Sequence, residues 1–504
     1  MRPFALAAAA LLLAAGPAAI AAAQPAGKPS LGQVSFANSG AAAAQAPFLR
    51  GLALLHNFEY PAAAAAFLEA QKADPGFAMG YWGEAMTYTH PVWMQQDAAA
   101  GRVALAKLAP TREARLAKAR TPRERAYLDA VETLYGPDGT KEERDRAYSA
   151  RMAALHAAYP NDVDGRAFYA LSLLGLAHGG RDYGLYMRAA GLLEEVFPAN
   201  QRHPGVLHYL IHSYDDPVHA PLGLRAARLY GIVAPEAGHA LHMTSHIFIA
   251  LGMWPEVERA NVEAMATVNR QRAAAGRPPG RCGHYNEWLV YARLQQSKAG
   301  VDRDIAACRE ASLTAPPAAD AAGKIEAGSA IWSWADMAVR QLVETGRWEA
   351  PPALPDGRQL GAAFNLAYGD LLAAGTDAER VRAARSKLEA AARALDEARG
   401  AEPVEFPSAP ARQKAILLQA EGLERLASGA AEEGLAKLRE AAAAEAAIPA
   451  EFGPPILEKP SAELLGDALL RLGRKDEAAK AYEAALAAAP GRRLSLAGLQ
   501  AARR

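Results

Sequence analysis

The sequence has few cysteines, few aromatic side chains and no excess of charge of either sign. Two cysteines in 504 residues exclude a small disulfide-rich domain. Lysine plus arginine and aspartate plus glutamate each number 55, so the charge balance does not favour nucleic acid or an anionic membrane as partner. Runs of β-branched residues are nearly absent and alanine is abundant. This composition predicts an all-α fold.

The first residues carry an export pattern. A positive charge at Arg2 precedes an apolar run over Phe4–Ala15, and small residues follow. The pattern predicts a secretory signal peptide over residues 1–23, because the apolar run is too short to span a bilayer. We therefore expect an exported, periplasmic protein. An oxidising compartment permits a disulfide between Cys282 and Cys308, and the sequence leaves their pairing open.

Two segments, one near each end, repeat a spacing of small, aromatic and proline residues. The members are Gly51, Leu54, Ala63, Phe67, Ala70 and Pro75 in the first segment, and Gly466, Leu469, Gly473, Ala478, Tyr482, Ala485 and Pro490 in the second. This spacing is typical of the tetratricopeptide repeat (TPR), a helix–turn–helix unit of 34 residues. Small residues let the paired helices approach, and an aromatic ring fills the gap. The predicted fold is an α-solenoid of TPR-like helix pairs.

The repeats and the breaks between them divide the chain after the signal peptide. We expect a disordered N-terminal segment over residues 24–45, followed by TPR-like repeats over 46–310. A charged helical insertion at about 97–164 interrupts those repeats. A helical linker region over 311–410, rich in proline and glycine breaks, leads to C-terminal TPR repeats over 411–504.

Histidines are concentrated in one stretch of the predicted repeats. Eight of the twelve lie within residues 203–284. Two pairs have a spacing of four, which places each pair on one helical face, and the second pair follows the first by one repeat length. We predict that six histidines line the concave inner face: His178, His208, His212, His242, His246 and His284. His56 and His90 belong to the first two repeats, and we expect them to lie away from this face.

Imidazole nitrogens that converge from neighbouring helices are ligands for transition metals. We predict that the six histidines hold a metal, either zinc or copper. Four further residues are predicted to contact a ligand beside them: Tyr214, Asp216, Asn286 and Glu287. Their carboxylates could bind the ion directly or orient the imidazoles.

Three functions fit this pattern. The leading hypothesis is a binding scaffold whose groove holds a partner protein, a peptide or a small ligand, with or without a bound metal. The alternative is a metal-dependent enzyme that uses a metal-bound water and a nearby carboxylate. A structural scaffold without a small-molecule site is the third. No HExxH, GxSxG, GxxxxGK[ST] or dinucleotide-binding GxGxxG motif is present, so the sequence identifies no catalytic residue.

The histidine-rich stretch and the C-terminal tail also carry a family resemblance. The residues concerned are His203–Gly205, His208–Tyr214, Gly238–Trp254, Glu463–Gly466, Pro490–Arg492 and Ser495–Leu496. Through them the chain resembles exported bacterial TPR proteins. The resemblance covers most of the chain after the signal peptide and implies a superhelix that holds peptides or protein partners. It carries over no catalytic residue.

Overall fold

The computed structural model describes residues 31–314, 330–352, 354, 359–399 and 408–504. Within these ranges the chain forms 23 α-helices. It also forms one short ribbon in which β1 (Thr89–His90) pairs antiparallel with β2 (Gln95–Gln96). The predicted all-α fold is confirmed. The signal peptide predicted over residues 1–23 lies outside the described residues.

The N-terminal helices form the first repeats and the charged insertion. They are α1 (Ala42–His56), α2 (Tyr60–Ala73), α3 (Ala78–Met86), α4 (Ala98–Ala106), α5 (Arg112–Leu116), α6 (Pro122–Leu134) and α7 (Lys141–Ala158). The segment predicted as an insertion contains α4 to α7. Helix α7 begins with a capping box, in which the Thr140 hydroxyl accepts from the Glu143 amide and the Glu143 carboxylate accepts from the Thr140 amide.

The middle helices carry the histidine-rich stretch. They are α8 (Val163–Leu174), α9 (Tyr183–Glu194), α10 (Pro204–Tyr214), α11 (Ala220–Val233), α12 (Gly238–Ala250), α13 (Trp254–Ala274), α14 (His284–Gln295) and α15 (Val301–Thr314). Consecutive helices pack against each other, and α10 also packs against α8, α12 and α1. The contact with α1 brings the first repeat back against the middle of the chain. A Cβ atom on Gly205 would lie 2.3 Å from His56 Nδ1, so this approach requires glycine.

The C-terminal helices continue the stack. They are α16 (Ala330–Thr345), α17 (Leu360–Ala373), α18 (Ala378–Arg399), α19 (Ala409–Ala427), α20 (Ala431–Ala446), α21 (Ser461–Arg471), α22 (Lys475–Ala488) and α23 (Arg493–Ala502). Helices α16, α17 and α18 pack in order between α15 and α19. The region expected to be a linker over 311–410 therefore contributes packed helices to the stack, because the hydrophobic faces of α16 and α17 are buried against neighbours.

The glycine and aromatic residues of the repeat signature meet as the sequence predicts. A Cβ atom added to Gly51 would lie 2.9 Å from the Phe67 ring, and a Cβ atom added to Gly83 would lie 2.3 Å from the same ring. At the other end of the chain, a Cβ atom on Gly466 would lie 2.9 Å from the Tyr482 ring. Real Cβ atoms do not tolerate the shortest of these distances. The aromatic ring therefore fills the space left by glycine on the facing helix, as in TPR-like pairs.

The expectation of disorder over residues 24–45 is wrong for residues 31–45. Residues 31–41 are placed without helix or strand, and α1 begins at Ala42. Phe36 is only 4% exposed, and its ring contacts those of Phe48 and Trp82. Burial of this aromatic ring holds the segment against the first helices. Residues 24–30 lie outside the described residues.

The two cysteines form a disulfide that ties the start of α14 to α15. The Cα atoms of Cys282 and Cys308 lie 4.5 Å apart, and the bond closes across 26 residues of sequence. The bond fixes the loop from which α14 starts. Across the described part of the chain, every helix is too short or too polar to pass through a bilayer.

Candidate metal centre

Two helices place their histidines at matching positions. Helix α10 begins at Pro204, and α12 begins at Gly238, one repeat length later. Each helix therefore carries histidine at its fifth and ninth positions, His208 and His212 in α10 and His242 and His246 in α12. All four are at most 2% exposed. The repeat register predicted from the sequence thus places two imidazole pairs side by side in the interior.

One group of imidazoles, the inner triad, consists of His208, His212 and His239. One ring nitrogen from each lies within 4.8 Å of the other two. The Nε2 atoms of His208 and His239 are 3.3 Å apart. Two nitrogens that bind one tetrahedral zinc ion at 2.0–2.1 Å would lie about 3.3–3.4 Å apart. The spacing of this pair matches that of two ligands of one ion.

A second group, the outer triad, consists of His242, His246 and His284, whose ring nitrogens also converge within 4.8 Å. The Nε2 atoms of His242 and His246 are 3.2 Å apart. The rings of His242 and His284 have centroids 4.7 Å apart. The side chain of His284 is 45% exposed, so this triad reaches the surface at α14.

The hydrogen bonds of the outer pair determine where its protons lie. His242 Nδ1 is 2.7 Å from Asn261 Oδ1, and His246 Nδ1 is 2.6 Å from Asp215 Oδ2. Both oxygens accept, since the Asn261 amide nitrogen donates to the Val257 carbonyl 2.9 Å away. Each Nδ1 therefore carries a proton. In the neutral imidazoles both Nε2 atoms present lone pairs to each other across this short contact, which is repulsive without a cation between them.

The inner triad contains an imidazole nitrogen without a hydrogen-bond partner. His208 Nδ1 is 2.7 Å from the His56 carbonyl oxygen, which can only accept. His208 Nε2 therefore carries a lone pair when the ring is neutral and faces His239. The Nε2 atom of His212 is buried and has no hydrogen-bond partner. Buried polar atoms are almost always paired, so an orphaned imidazole nitrogen aimed into a histidine cluster indicates a ligand position.

Burial keeps these imidazoles neutral. Desolvation is the largest cause that holds the pKa values of His208, His212, His239 and His242 well below the usual value of 6.5. The neighbouring imidazoles lower these pKa values further, because each would repel a second positive charge. Neutral imidazole is the form that binds a metal ion, so the cluster offers lone pairs at neutral pH.

Aromatic rings from the first repeats cover the inner triad. The Phe58 ring has its centroid 4.3 Å from that of His208 and 5.6 Å from that of His239. Phe58 lies in the turn between α1 and α2 with φ +56°, a left-handed conformation uncommon for a residue with a side chain. Trp93 adds an edge contact to His239 at 5.8 Å. The strained turn thus places an apolar ring on the imidazoles.

Rings from the C-terminal half cover the outer triad. Trp288 contacts His242 and His246 with centroids 4.7 and 4.4 Å away. Phe452, in the segment between α20 and α21, contacts His246 at 5.1 Å and His212 at 6.5 Å. The segment that carries Phe452 approaches α14 closely, since a Cβ atom on Gly453 would lie 2.6 Å from the Trp288 ring. A C-terminal connection thus borders both triads.

A third group, the hydrogen-bonded triad, consists of His56, Asp164 and His203. One Asp164 oxygen lies 3.0 Å from His56 Nε2 and 3.1 Å from His203 Nε2. The other nitrogens are also paired, His56 Nδ1 with the Tyr209 hydroxyl and His203 Nδ1 with the Val206 amide. Both ring nitrogens of each histidine therefore have a partner within the protein, which leaves no free lone pair for a metal.

The electrostatics of this third group follow from burial and from its hydrogen bonds. Desolvation is the main cause that lowers the pKa of His56 to about 4. Burial alone would raise the pKa of Asp164, but hydrogen bonds from His203 and His56 hold it well below its usual value. The group is therefore a buried carboxylate that accepts from two imidazoles.

Five of the six predicted metal ligands come together, and His178 does not. His208 and His212 belong to the inner triad, and His242, His246 and His284 to the outer triad. His178 lies one repeat length before His212, but α8 ends at Leu174 and does not extend to it. His178 therefore lies beyond the helix, where its Nε2 is 3.1 Å from Asp145 Oδ2.

Of the four residues predicted to contact a ligand, Asp216 and Tyr214 form hydrogen bonds with residues outside the triads. Asp216 accepts from the amides of Val218 and His219 and from the His219 ring, so it closes the turn that follows α10. Tyr214 directs its hydroxyl to Glu194 at 3.4 Å.

Asn286 and Glu287 lie in the first turn of α14, as does His284 of the outer triad. Glu287 Oε2 is 3.9 Å from His284 Nδ1, and Glu287 Oε1 is buried without a hydrogen-bond partner. Of the four predicted ligand contacts, these two lie beside the outer triad, and the Glu287 carboxylate approaches the His284 ring.

Several residues of the site were not predicted from the sequence. His239 joins the inner triad, and its position one turn before His242 was the available signal. Asp215, rather than its neighbour Asp216, orients an imidazole. The expectation that His56 lies away from the cluster is wrong, because α1 packs on α10 and the His56 carbonyl accepts from His208. His90 stacks on Tyr60, with ring centroids 4.0 Å apart.

No protein-family model matches the chain, and no curated protein matches it in sequence. Among solved structures, the APC/C hetero-tetramer Cut9–Hcn1 aligns with a TM-score of 0.36 and 11% identity over 93% of this chain and 78% of that one. Yeast Tom70 aligns with a TM-score of 0.32 and 12% identity over 91% and 95%. A third structure, a TPR domain, aligns with a TM-score of 0.22 and 12% identity over 92% and 97%. The helical-repeat class rests on the helix pairing described above.

Proposed function

We propose that this chain is a helical-repeat binding protein whose buried histidine centre holds transition-metal ions. The observation that carries the proposal is the contact between His242 Nε2 and His246 Nε2 at 3.2 Å. The Nδ1 atoms of both rings donate to acceptors, so a cation is needed where the two lone pairs meet. Neutral imidazoles at this spacing suit zinc or copper.

A proton is the competing cation for this contact. If His246 were an imidazolium, its Nε2 could donate to His242 Nε2, and the Asp215 carboxylate would balance the charge. Two features favour a metal ion over the proton. A third imidazole, His284, converges on the same point. A second pair, His208 and His239, has the same spacing at 3.3 Å.

An ion fits the centre better than a peptide does. The four central histidines are at most 2% exposed, and aromatic rings cover both triads. A peptide could reach the imidazoles only if Phe58 or Phe452 moved away. An ion needs far less room, and buried imidazoles with fixed outer hydrogen bonds are the usual surroundings of a bound metal. The groove hypothesis for a peptide or partner protein therefore concerns surfaces other than these imidazoles.

Metal analysis of the purified full chain tests the proposal. The protein is loaded with zinc, dialysed and assayed by elemental mass spectrometry, beside the double variant His212→Ala with His246→Ala. We expect bound zinc in the parent protein and a loss of at least tenfold in affinity in the double variant, because one ligand of each triad is removed.

The matched control removes two histidines outside the triads, His156→Ala with His219→Ala. Circular dichroism and thermal unfolding establish that all three proteins are folded. Equal zinc content in the parent and the double variant would overturn the proposal, as would the absence of bound metal from the folded parent. Loss of zinc in the control as well would assign the metal to non-specific histidine binding and would also overturn it.

Metal-dependent catalysis is a second candidate function, favoured by one observation. Glu287 Oε1 is buried without a hydrogen-bond partner, and Glu287 lies one turn after His284 in the most exposed part of the centre. A carboxylate there could take a proton from a metal-bound water. Ester hydrolysis by the zinc-loaded protein, compared with Glu287→Gln, tests this candidate. Equal rates in the two proteins, or no rate above that of free zinc, would remove it.

We infer that the protein works in an oxidising compartment outside the cytoplasm. The disulfide between Cys282 and Cys308 supports this location, since such bonds persist where thiols are not kept reduced. The apolar N-terminal run is consistent with export to the periplasm. Sequencing the N-terminus of the mature protein from a fractionated cell tests the inference. An uncleaved chain found in the cytoplasm would contradict it.

A further inference from the structure

We infer that the two triads are separate sites for two ions, an inner site closed by protein and an outer site with a free coordination position for a small anion or water. This inference rests on the proposed metal-binding function and extends it to the number of ions and to the ligand that the outer ion accepts.

The separation of the triads is the first reason. Within the triads, ring centroids in contact are 4.8 Å apart for His208 and His212 and 5.0 Å apart for His242 and His246. Between the triads the ring centroids are 5.9 Å apart for His212 and His246 and 6.3 Å apart for His239 and His242. Six imidazole nitrogens around a single ion would all have to lie about 2.0–2.1 Å from it. Two ions, one in each triad, fit these ring distances better than a single ion bound by all six imidazoles.

The closure of the inner site is the second reason. His208 and His212 are buried, and Phe58 and Trp93 cover the half-buried ring of His239. No carboxylate is among the residues that converge with these three rings in the described part of the chain. A site with three imidazoles, apolar walls and little access to solvent retains its ion and exchanges it slowly.

The open side of the outer site is the third reason. His284 is the first residue of α14, and its side chain is 45% exposed. Glu287 lies one turn further along the same helix, and its buried Oε1 has no hydrogen-bond partner. Three histidines leave a tetrahedral ion one position short in either triad, and the outer triad is the one that opens this position to solvent. The carboxylate stands where it could accept a hydrogen bond from a water or a protonated anion bound at that position.

The two sites connect different parts of the stack. The inner triad joins α10 to α12, and the outer triad joins α12 to α14. Between α12 and α14 the chain passes through α13 and a loop anchored by the disulfide at Cys282. The outer ion therefore adds a connection between helices that are not adjacent in sequence, and its loss should leave the inner site intact.

Cobalt titration of the metal-free full chain tests the inference, because Co²⁺ takes the same ligands as zinc and its visible absorption reports coordination. We expect two equivalents of cobalt, bound in two distinguishable steps. Azide, the probe for the free position, should change the absorption of the outer cobalt and leave that of the inner cobalt unchanged. His284→Ala should retain one equivalent, and azide should no longer change its spectrum.

Two controls make the test specific. His156→Ala, which removes a histidine outside the triads, should bind two equivalents and keep the azide response. Glu287→Gln should keep both cobalt ions and weaken azide or water binding severalfold, whereas Glu263→Gln, an exposed carboxylate on α13, should have no effect.

The outcomes separate the two-site inference from the proposed function. A single equivalent that both His212→Ala and His284→Ala abolish would overturn the two-site inference and leave the proposed function standing. An azide response that persists in His284→Ala would also overturn the inference. No binding of cobalt by the folded parent would overturn the proposed function itself.

Discussion

Two buried groups in this protein use the same side chain in opposite ways. In the hydrogen-bonded triad, both nitrogens of His56 and of His203 have partners, and one carboxylate accepts two imidazole protons. In the outer triad, His242 and His246 donate their Nδ1 protons to acceptors and direct their bare Nε2 atoms at each other. The four imidazoles compared, those of His56, His203, His242 and His246, are all buried, so burial does not separate them. The difference is the number of protons available for the contacts, and it identifies which group needs a cation.

The comparison predicts that metal stabilises the protein through only one of these groups. Adding zinc at 100 to 1,000 times its dissociation constant should raise the free energy of unfolding by about 3–4 kcal/mol, because the ion binds the folded state. Thermal unfolding with zinc and with a chelator measures the gain. The same gain should be found in His203→Asn, which alters the hydrogen-bonded triad alone. A zinc effect abolished in His203→Asn would remove the distinction between the groups.

Acid should destabilise the hydrogen-bonded triad even without metal. The pKa of His56 is lowered to about 4 in the folded protein, below 6.5 in the unfolded chain. Between these values the unfolded state binds more protons, so stability falls as the pH drops from 6.5 to 4, and His56 contributes ~3 kcal/mol of this loss. The carboxyl of Asp164 also has a lowered pKa, so its contribution is lost below its ordinary value of 3.8. Both effects have the same sign.

Urea unfolding in the presence of a chelator, measured from pH 7 to pH 4, checks this pH dependence. His56→Gln removes one titrating ring and should make the slope between pH 6.5 and pH 4 shallower by the share of His56, while the buried imidazoles of the other triads keep theirs. A parent protein whose stability does not change over that range would contradict the assignment of a neutral, buried His56.

Removing the shared carboxylate should cost stability without affecting the metal. In Asp164→Asn the two imidazole protons lose their charged acceptor, which should cost about 2–3 kcal/mol. Zinc content should remain that of the parent. Chemical denaturation and elemental analysis of the same sample measure both quantities. A variant as stable as the parent, or one that loses its zinc, would show that the hydrogen-bonded triad has been misassigned.

Replacing an outer hydrogen-bond partner should have the converse effect. Asp215→Asn leaves His246 in place but weakens the acceptor that fixes its tautomer and orientation. Zinc affinity should fall about 10- to 100-fold, with a smaller loss of stability in the metal-free protein. Competition with a chromophoric chelator gives the affinity. Asp216→Asn, the adjacent carboxylate that caps a turn, is the control and should leave zinc affinity unchanged.

The sequence predicted the parts of the centre that depend on helical periodicity. The spacing of four within α10 and α12, and of one repeat length between them, correctly brought His208, His212, His242 and His246 together. His178 has the same spacing but fails because α8 ends at Leu174. The repeat spacing predicts equivalent positions in two repeats only where the helices of both repeats extend to those positions.

The rest of the centre depends on contacts between distant segments. Helix α1 packs on α10 at Gly205. This packing brings the His56 carbonyl oxygen to His208 Nδ1. Phe452 reaches the imidazoles from a connection near the other end of the chain, between α20 and α21. Neither contact has a local pattern, since each results from how the whole stack of helices closes. Which triad lacks protons also depends on the acceptor that each imidazole meets. Those acceptors are known only from the three-dimensional structure.

Anomalous diffraction at the zinc edge, from crystals of the zinc-loaded full chain, would locate the bound ion. We expect a peak about 2.0–2.1 Å from the Nε2 atoms of both His242 and His246, with their Nδ1 atoms still bonded to Asn261 and Asp215. We expect no peak at His56, Asp164 and His203. No anomalous peak between His242 and His246, with the two Nε2 atoms still about 3.2 Å apart, would mean that they share a proton and would contradict the assignment of a metal to this pair.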